Sequence, residues 1–250
     1  MSESKKLGII IPARYESSRL PGKPLIKICG ISMIQRTWMQ CCKAIDKSNI
    51  YIATDNIEIA KHVESFGGNF VMTSKNCLTG TDRIAEANKT LNLDLIINVQ
   101  GDEPIIDPED IKTIMTAQKK NPNCVFNGMT RISKEIEINS TTIPKVVFSE
   151  SKKLLYMSRS KIPGSKDGNS NQCFKQVCIY GFNAEHLEIF SKSTSKSKFE
   201  DIEDIEILRF IEQDIPVNMV ELSSNSMSVD VPADILSIEK VIEKQAPKLS

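Results

Sequence analysis

One stretch near the amino terminus constrains the fold more than any other, residues 9 to 25, which read IIIPARYESSRLPGKPL. A short run of isoleucines lies between Gly8 and Pro12. A short apolar run bounded by breakers is typical of a buried strand at the centre of a parallel sheet. The pattern predicts a strand from Gly8 to Ile11. Because proline cannot donate to a strand ladder, we expect the strand to stop at Pro12.

The segment after this strand is cationic. It carries Arg14, Arg19 and Lys23, with Ser17 and Ser18 as hydroxyl donors. In open α/β sheets, ligands bind beyond the carboxyl ends of the strands. Guanidinium and ammonium groups there suit phosphate oxygens. The sequence therefore predicts a polyphosphate site in this loop, in preference to the alternative of a solvated positive surface loop.

Composition excludes several classes of protein. The chain has 250 residues, and its 32 Lys and Arg balance its 32 Asp and Glu. Zero net charge argues against a general nucleic-acid surface. No stretch is apolar for long enough to span a bilayer, and the polar start from Met1 to Lys6 is not typical of a signal peptide. The 7 cysteines form no Cys-x-x-Cys, and only two histidines are present. This favours reduced thiols in a cytoplasmic protein over a zinc site.

Strand and helix patterns alternate along the first half of the chain, which predicts a doubly wound, mostly parallel α/β sheet with helices on both faces. The second half is less regular and predicts a smaller extension, without a linker that would separate a second domain. The run of acidic residues near 201 to 212 is typical of a helix with a solvated face. Predicted strands cover residues 49–54, 69–72, 93–99, 124–132, 145–148, 154–160, 176–182 and 217–222. Predicted helices cover residues 34–44, with Ser32 as the expected cap, 57–66, closed by Gly67 and Gly68, a stretch after Arg83 that ends at Lys89, 108–120, 184–191, 201–212 and 232–244.

Asp102 is the carboxylate best placed for chemistry. It lies in Gln100-Gly101-Asp102-Glu103-Pro104, directly after the apolar strand at 93–99. Gly101 allows a turn and the close approach of a ligand. A carboxylate at this edge, opposite a cationic loop, suits Mg²⁺ holding phosphate oxygens. The alternative is a turn aspartate before Pro104.

Asp230 is a second candidate metal ligand. It lies in Ser228-Val229-Asp230-Val231-Pro232, just before the last predicted helix. A helix cap is the alternative interpretation of this residue.

The motif from Ile11 to Leu25 resembles the signature of the sugar-acid cytidylyltransferases, and most of all the 3-deoxy-manno-octulosonate cytidylyltransferase family. The resemblance is dense from residue 8 to about residue 110 and continues as scattered motifs to Asp230. It implies a Rossmann-like nucleotidyltransferase fold and transfer of CMP from CTP to the anomeric hydroxyl of a 2-keto-3-deoxy sugar acid. Pyrophosphate would be released, and the product would serve lipopolysaccharide or capsule synthesis. It also implies a homodimer that pairs through the second half.

The resemblance assigns roles to individual residues. Within one domain over 1–250, residues up to about 120 would bind nucleotide, and those from about 121 would bind the sugar. The implied catalytic residues are Arg14, Arg19, Lys23 and Asp102, and the implied Mg²⁺ ligands are Asp102 and Asp230. The implied nucleotide contacts are Ala13, Arg14, Ser18, Arg19, Lys23, Thr73, Ser74, Thr79, Gly80, Thr81, Gln100 and Gly101. The implied sugar contacts are Gln100, Arg159, Gln176, Tyr180 and Glu206. From the residues alone, Thr79 and Thr81 are equally compatible with capping the next helix.

Three departures from the family pattern bear on the substrate. Gln176 stands where the family usually has histidine, and Ile207 stands where it usually has glutamine. Val231 replaces the threonine that follows the second metal aspartate. The first two lie in the part that resembles the sugar pocket. They leave open a cytidylyltransferase for a different ulosonate.

Rival functions on similar sheets are distinguished by motifs. A catalytically silent nucleotide-binding protein of the same fold stays open, although retention of both Asp102 and Asp230 counts against it. A glycosyltransferase with an Asp-x-Asp motif would lack the loop at 9–25. An NAD dehydrogenase is excluded because no Gly-x-Gly-x-x-Gly follows the first strand.

Overall fold

The structure is a computed structural model that describes residues 5–16, 20–166, 173–223, 226–229 and 231–245. It contains a large mixed sheet and a short two-stranded hairpin. The strands are β1 (Leu7–Ala13), β2 (Lys27–Ile28), β3 (Ile31–Ser32), β4 (Ile50–Thr54), β5 (Asn69–Met72), β6 (Leu95–Val99), β7 (Val125–Arg131), β8 (Lys145–Phe148), β9 (Leu154–Ser158), β10 (Phe174–Asn183) and β11 (Val217–Glu221).

In the first half of the chain, helices connect most of the strands. In the second half, helices are interspersed among strands that are less regularly spaced. No described helix is both long enough and apolar enough to cross a membrane. The α-helices are α1 (Met33–Cys42), α2 (Ile57–Ser65), α3 (Gly80–Leu91), α4 (Pro108–Lys120), α5 (Glu135–Asn139), α6 (Ala184–Ser191), α7 (Lys198–Glu203), α8 (Leu208–Glu212) and α9 (Pro232–Gln245).

The strands of the main sheet follow the order β11-β7-β10-β6-β1-β4-β5. Strands β6, β1, β4 and β5 pair in parallel, as the alternating pattern predicts. Strand β10 is antiparallel to both β6 and β7, so the sheet is mixed at its centre. The hairpin of β8 and β9 leaves the main path by pairing with β10. This hairpin is the smaller extension expected in the second half.

The expectation that β1 stops at Pro12 is wrong. The strand continues to Ala13, and Pro12 pairs with Ala53 of β4. On its other edge, β1 pairs with β6, and this pairing ends at Ile10, which lies opposite Asn98. Pro12 therefore has a strand neighbour on one side only, and this is the position at which a strand tolerates proline.

Both faces of the sheet are covered. Ile9 and Ile11 point into a core that includes apolar residues of α1, α2 and α4, whereas Ile10 points into a second core with residues of α3, α6 and α8. Side chains of a strand alternate between faces, so a strand buried on both sides is apolar throughout. This accounts for the uninterrupted isoleucine run with which the cationic loop begins.

Local signals in the first half locate several helices correctly. Ser32 caps α1 by accepting from the Gln35 N–H, and α2 ends just before Gly67, whose φ is +76°. The left-handed conformation at Gly67 is the usual way to close a helix. The boundaries of β5 and α4 match the predicted ranges.

The predicted acidic helix at 201–212 is wrong in extent, and its face is solvated only in part, because Asp201 and Asp204 are exposed whereas Glu200 and Arg209 are buried. The segment forms α7 and α8, separated at Asp204, which has a left-handed backbone (φ 50°). Glu200 is fully buried and binds the buried Arg209 guanidinium through both oxygens, each at 2.6 Å. Arg209 also donates to Asp82 of α3 at 2.9 Å and stacks on Phe190. The buried charges therefore join α3, α6, α7 and α8 instead of facing solvent.

We expect Arg209→Met to lower the free energy of unfolding by about 3–5 kcal/mol, because it leaves a buried carboxylate without its partner. Urea denaturation followed by circular dichroism measures the change. The matched control is Lys112→Met, which removes an ion pair between the exposed side chains of Lys112 and Glu109. It should change stability by no more than about 0.5 kcal/mol. Equal, small effects of the two substitutions would contradict the structural role of Arg209.

Candidate active site

A cavity of about 590 Å³ opens at the carboxyl edge of β1 and β6 and extends along the wall formed by β10. It brings together residues that lie more than 190 positions apart in the chain, from Ala13 to Glu206. The sequence-predicted site residues that line it are Ala13, Arg14, Lys23, Thr79, Gly80, Gln100, Gly101, Asp102, Arg159, Gln176, Tyr180 and Glu206. Three further predicted residues, Ser18, Arg19 and Asp230, lie outside the described residues.

The loop after β1 folds back on itself. The Gly22 N–H donates to the Tyr15 carbonyl at 3.0 Å, and Gly22 has a φ of +66°, which favours glycine. A short 3-10 turn from Lys23 to Leu25 follows. It directs the Lys23 ammonium to the Asp102 carboxylate, with 2.7 Å between Nζ and Oδ2. The predicted phosphate-binding lysine and the predicted metal ligand are therefore in direct contact.

The turn after β6 packs tightly against β1. A Cβ added at Gly101 would lie 2.8 Å from the main-chain oxygen of Pro12, so this position has room only for glycine. The turn is also bonded on both sides, because the Gln100 N–H donates to the Cys178 carbonyl and the Asp102 carbonyl accepts from the Val229 N–H. The turn that carries Asp102 is thus packed against β1 and bonded to the main chain of two further segments.

A metal site is not complete within the described part of the chain. No group of three or more His, Cys, Asp or Glu side chains there could hold a metal ion. Asp102 offers carboxylate oxygens, which magnesium prefers, and its side chain is 29% exposed. The residue before the second predicted ligand, Val229, contacts the Asp102 main chain at 3.0 Å.

Glu206 links the nucleotide-side and sugar-side segments. It accepts from Gln100 Nε2 at 2.9 Å and from the Thr81 N–H at 3.0 Å. Burial raises the pKa of the Glu206 carboxyl, and the bond from Thr81 opposes that rise. Thr79 caps α3 through a bond from the Asp82 N–H, so the capping interpretation of Thr79 is confirmed. Thr79 also lines the cavity wall.

Thr73, Ser74 and Thr81 do not line the cavity. Thr73 accepts from Arg83 Nη1 at 2.6 Å, and Arg83 also binds Asp55 at 2.8 Å. Arg83 itself lines the cavity and ties this segment to its wall. The roles of the three residues as nucleotide contacts stay predictions.

Arg159 and Lys145 hold the rim of the cavity. The Arg159 guanidinium donates to main-chain carbonyls on two sides, at Thr141 (3.1 Å) and Asp204 (2.9 Å). The fully buried Lys145 donates to the carbonyls of Ser140 (2.6 Å) and Arg159 (2.5 Å). Burial lowers the pKa of Lys145. Sequence reasoning assigned no role to Lys145, because its carbonyl partners carry no side-chain signal.

Near the β10 wall are three polar residues that the sequence did not indicate, namely Glu137, Lys175 and Asn127. Lys175 and Glu137 form an ion pair at 2.5 Å, and both line the cavity. Gln176 donates through Nε2 to Asn127 Oδ1 at 3.0 Å and to the Tyr180 hydroxyl at 3.2 Å. Asn127 was missed because it lies on a strand whose neighbour, β10, could not be inferred from local patterns.

Gly101→Ala tests the tight contact between the two loops. The added Cβ would meet a main-chain oxygen, which cannot rotate away, so we expect a loss of about 1–3 kcal/mol of unfolding free energy. Gly164→Ala is the control, since no atom lies within 4 Å of its Cβ position. Thermal melts of the two variants measure the difference. Unchanged stability in Gly101→Ala would show that the turn after β6 is free to move.

Comparisons with known proteins agree with this geometry. A family model described as cytidylyltransferase matches residues 8–221. An 8-amino-3,8-dideoxy-manno-octulosonate cytidylyltransferase of Shewanella putrefaciens is 40% identical over 238 residues, which cover 93% of this chain and 96% of the relative. A 3-deoxy-manno-octulosonate cytidylyltransferase of Desulfatibacillum aliphaticivorans is 38% identical and covers 96% of this chain and 100% of the relative.

Solved structures extend the likeness to the fold. The structure of a CMP:2-keto-3-deoxy-manno-octonic acid synthetase complexed with CTP aligns with a TM-score of 0.88 and 33% identity, over 96% of this chain and 99% of that one. A cytidylyltransferase from Leptospira borgpetersenii aligns over 99% of both chains with a TM-score of 0.57 and 15% identity, which shows a shared fold alone. The expected nucleotidyltransferase-like α/β fold is confirmed. Sequence, fold and site together show that the chain belongs to the cytidylyltransferase family.

Proposed function

We propose that this enzyme transfers CMP from CTP to the anomeric hydroxyl of 3-deoxy-manno-octulosonate and releases pyrophosphate. The observation that carries the proposal is the contact between Lys23 and Asp102, at 2.7 Å, on the floor of a cavity that also holds Arg14. It joins a phosphate-binding cation to a potential metal ligand, as nucleotidyl transfer requires. The relatives named for this reaction match nearly the whole chain.

The loop cations bind the triphosphate in this proposal. Arg14 is exposed at the cavity mouth, and Lys23 is partly buried against Asp102. Lys23 exchanges its carboxylate partner for phosphate oxygens when CTP binds, and then stabilises the negative charge that develops on pyrophosphate. Arg19 and Ser18 are assigned the same role from their positions between these two cations in the sequence.

Asp102 and Asp230 are the proposed ligands of Mg²⁺. The partly exposed Asp102 carboxylate fits a hard cation, and the contact of Val229 with the Asp102 main chain supports Asp230 as its partner. These two carboxylates would hold Mg²⁺, which would supply positive charge to orient a phosphate group and to lower the pKa of the attacking hydroxyl. Before the metal binds, Lys23 compensates the charge of Asp102. Titration calorimetry should show weak Mg²⁺ binding alone and stronger binding with CTP.

Cytosine and ribose are assigned to the short side chains and main chain around the start of α3. Thr79 and Gly80 line the cavity, as do Ala13 and Gly101. A Cβ added at Gly80 would lie 2.8 Å from Gln100 Nε2, so a glycine here lets the two segments approach closely. The proposed nucleotide contacts also include Thr73, Ser74 and Thr81, which do not line the cavity in this structure. Main-chain groups and short side chains of this kind supply the hydrogen-bond donors and acceptors that a small pyrimidine needs.

The sugar acid is assigned to the wall made by the second half of the chain. Gln100, Glu206, Gln176 and Tyr180 supply polar groups there, and Arg159 supplies a positive charge at the rim. A guanidinium suits the carboxylate of a sugar acid. Residues up to about 120 thus bind nucleotide and those beyond bind mainly the sugar, within one domain.

An 8-amino-3,8-dideoxy sugar acid is the second candidate substrate. The relatives named for the 8-amino sugar are 37–40% identical to this chain, and those named for 3-deoxy-manno-octulosonate are 38–39% identical. These identities do not separate the two substrates. Gln176, which departs from the usual family pattern and lines the cavity, also favours testing both, whereas Ile207 is buried in the hydrophobic core and does not line the cavity.

We further propose that the enzyme works as a homodimer that pairs through its second half. Leu155 on β9 and Phe199 and Ile202 on α7 are exposed apolar side chains. A contact between the Phe199 and Tyr156 rings shows that α7 and β9 are adjacent, so the exposed apolar side chains lie on two neighbouring elements of the second half. Apolar side chains exposed close together commonly mark interfaces. Light scattering at micromolar concentration should give the mass of a dimer, and a monomer would refute the pairing.

A cytoplasmic location belongs to the same proposal. The 7 cysteines are all free thiols in the structure, which fits a reducing compartment. Cell fractionation tests it, and recovery of the enzyme outside the cytoplasm would contradict it.

Pyrophosphate release from a nucleoside triphosphate tests the function directly. We expect turnover with CTP and 3-deoxy-manno-octulosonate or its 8-amino analogue, and at least about a hundredfold less with ATP or GTP, because polar groups that pair with cytosine are left unpaired by a purine. Omission of the sugar acid is the control. Equal turnover with ATP, or pyrophosphate release that needs no sugar acid, would contradict the proposal.

A further inference from the structure

Asn127 has an orientation that the main chain fixes. Pairing of β10 with β7 shifts register between Val177 and Tyr180, and the fully buried Asn127 amide fills this irregularity. Its Nδ2 donates to the carbonyls of Val177 at 3.0 Å and Ile179 at 2.9 Å. Main-chain carbonyls can only accept hydrogen bonds, so the nitrogen must face them. The Asn127 oxygen therefore faces Gln176.

This orientation determines that of Gln176. Because Asn127 presents an oxygen, the Gln176 amide must present its nitrogen, and it donates to Asn127 Oδ1 and to the Tyr180 hydroxyl. Burial raises the pKa of Tyr180 well above its usual value, so the phenol stays a neutral hydroxyl. Both amide hydrogens of Gln176 are then in use. The atom that remains is the carbonyl oxygen, Oε1.

Gln176 Oε1 accepts no hydrogen bond from any residue that the structure describes, although Gln176 is half-buried and lines the cavity. A ligand that covers this wall must supply a donor, since a buried acceptor without one costs free energy. A group that cannot donate is disfavoured at the same place. The wall therefore distinguishes ligands by the direction of one hydrogen bond.

We propose that Gln176 is a specificity-determining residue, whose carbonyl oxygen selects a sugar acid that presents a hydroxyl or ammonium hydrogen to the β10 wall. This inference rests on the proposed function. The histidine usual in the resembled family can donate or accept, depending on its tautomer and protonation. Glutamine does not titrate, so the selection in this chain is fixed.

The two candidate sugars both offer such a donor. A hydroxyl gives a neutral hydrogen bond, whereas an ammonium gives a charge-assisted bond of roughly twice the strength. If the group at position 8 of the sugar donates to Gln176, the enzyme binds the 8-amino sugar more tightly. If a hydroxyl that both sugars carry donates to Gln176, the bond contributes the same affinity for each sugar.

Gln176→Met tests the inference, because methionine has similar length and shape but lacks the acceptor. It also lacks the amide hydrogens that bind Asn127 and Tyr180, so circular dichroism must first show that the variant is folded. With each sugar we expect KM for the sugar acid to rise about three- to tenfold, the loss expected for one neutral hydrogen bond. KM for CTP should stay within about twofold, since the triphosphate lies against other residues. Gln40→Met is the matched control, because Gln40 lies on α1 and contacts only the Lys43 side chain through its oxygen. It should leave both KM values unchanged.

Gln176→Asn is a second variant in case the first is poorly folded. It keeps the amide and withdraws the oxygen by one methylene, so the sugar KM should again rise. A changed ratio of kcat/KM between the two sugars would support the inference and assign the donor to position 8. A parallel fall for both would support it with a shared hydroxyl as donor.

An unchanged sugar KM in folded Gln176→Met and Gln176→Asn, or an equal rise in the KM for CTP, would overturn the inference while leaving the proposed function intact. Absence of turnover in the wild-type enzyme with either sugar would overturn the proposed function, and this inference with it.

Discussion

The neighbour relation of β1 and β6 is the constraint on which the site depends. The two strands run parallel and side by side, with Ile10 opposite Asn98, so their carboxyl ends meet at one edge. The cationic loop follows one strand and the Asp102 turn follows the other. Gly101 lets the turn lie against the Pro12 main chain, at a distance that a larger residue would not allow. The contact of Lys23 with Asp102 is the consequence.

A second constraint is the antiparallel insertion of β10 beside β6. It joins the two halves of the chain in one sheet, and the bond from the Gln100 N–H to the Cys178 carbonyl connects them at the cavity. Gln176 and Tyr180 reach the site only because β10 lies there. The nucleotide-side and sugar-side walls are therefore parts of the same sheet, and the geometry of one affects the other through Gln100 and Glu206.

Features that depend on local sequence could be predicted. The buried strand β1, the Ser32 cap and the strand-end position of Asp102 follow from short patterns of apolar, capping and turn residues. Features that depend on residues distant in the sequence could not be predicted. Pro12 lies within its strand because β6 turns away two residues earlier, which no pattern near Pro12 reveals.

Burial of charge illustrates the same limit. An acidic run next to Arg209 is typical of a solvated helix, but Asp82 lies 127 positions away and helps to bury the guanidinium. The orientation of Gln176 likewise depends on Asn127, which is 49 positions away. The cationic loop, the Asp102 turn and the family resemblance together indicated many residues that line the cavity, but not how those residues are bonded.

The most direct test of the account is a double-mutant cycle on turnover with Lys23→Met and Asp102→Asn. If both residues act on the same phosphates, each substitution should lower turnover about a hundredfold or more, with the fold retained by circular dichroism. The turnover of the double variant should then be no more than about tenfold below that of the less active single variant, because the effects of substituting residues that act as a unit are not additive. Losses that multiply fully, or near-normal turnover in Asp102→Asn, would contradict a shared role at the site of transfer.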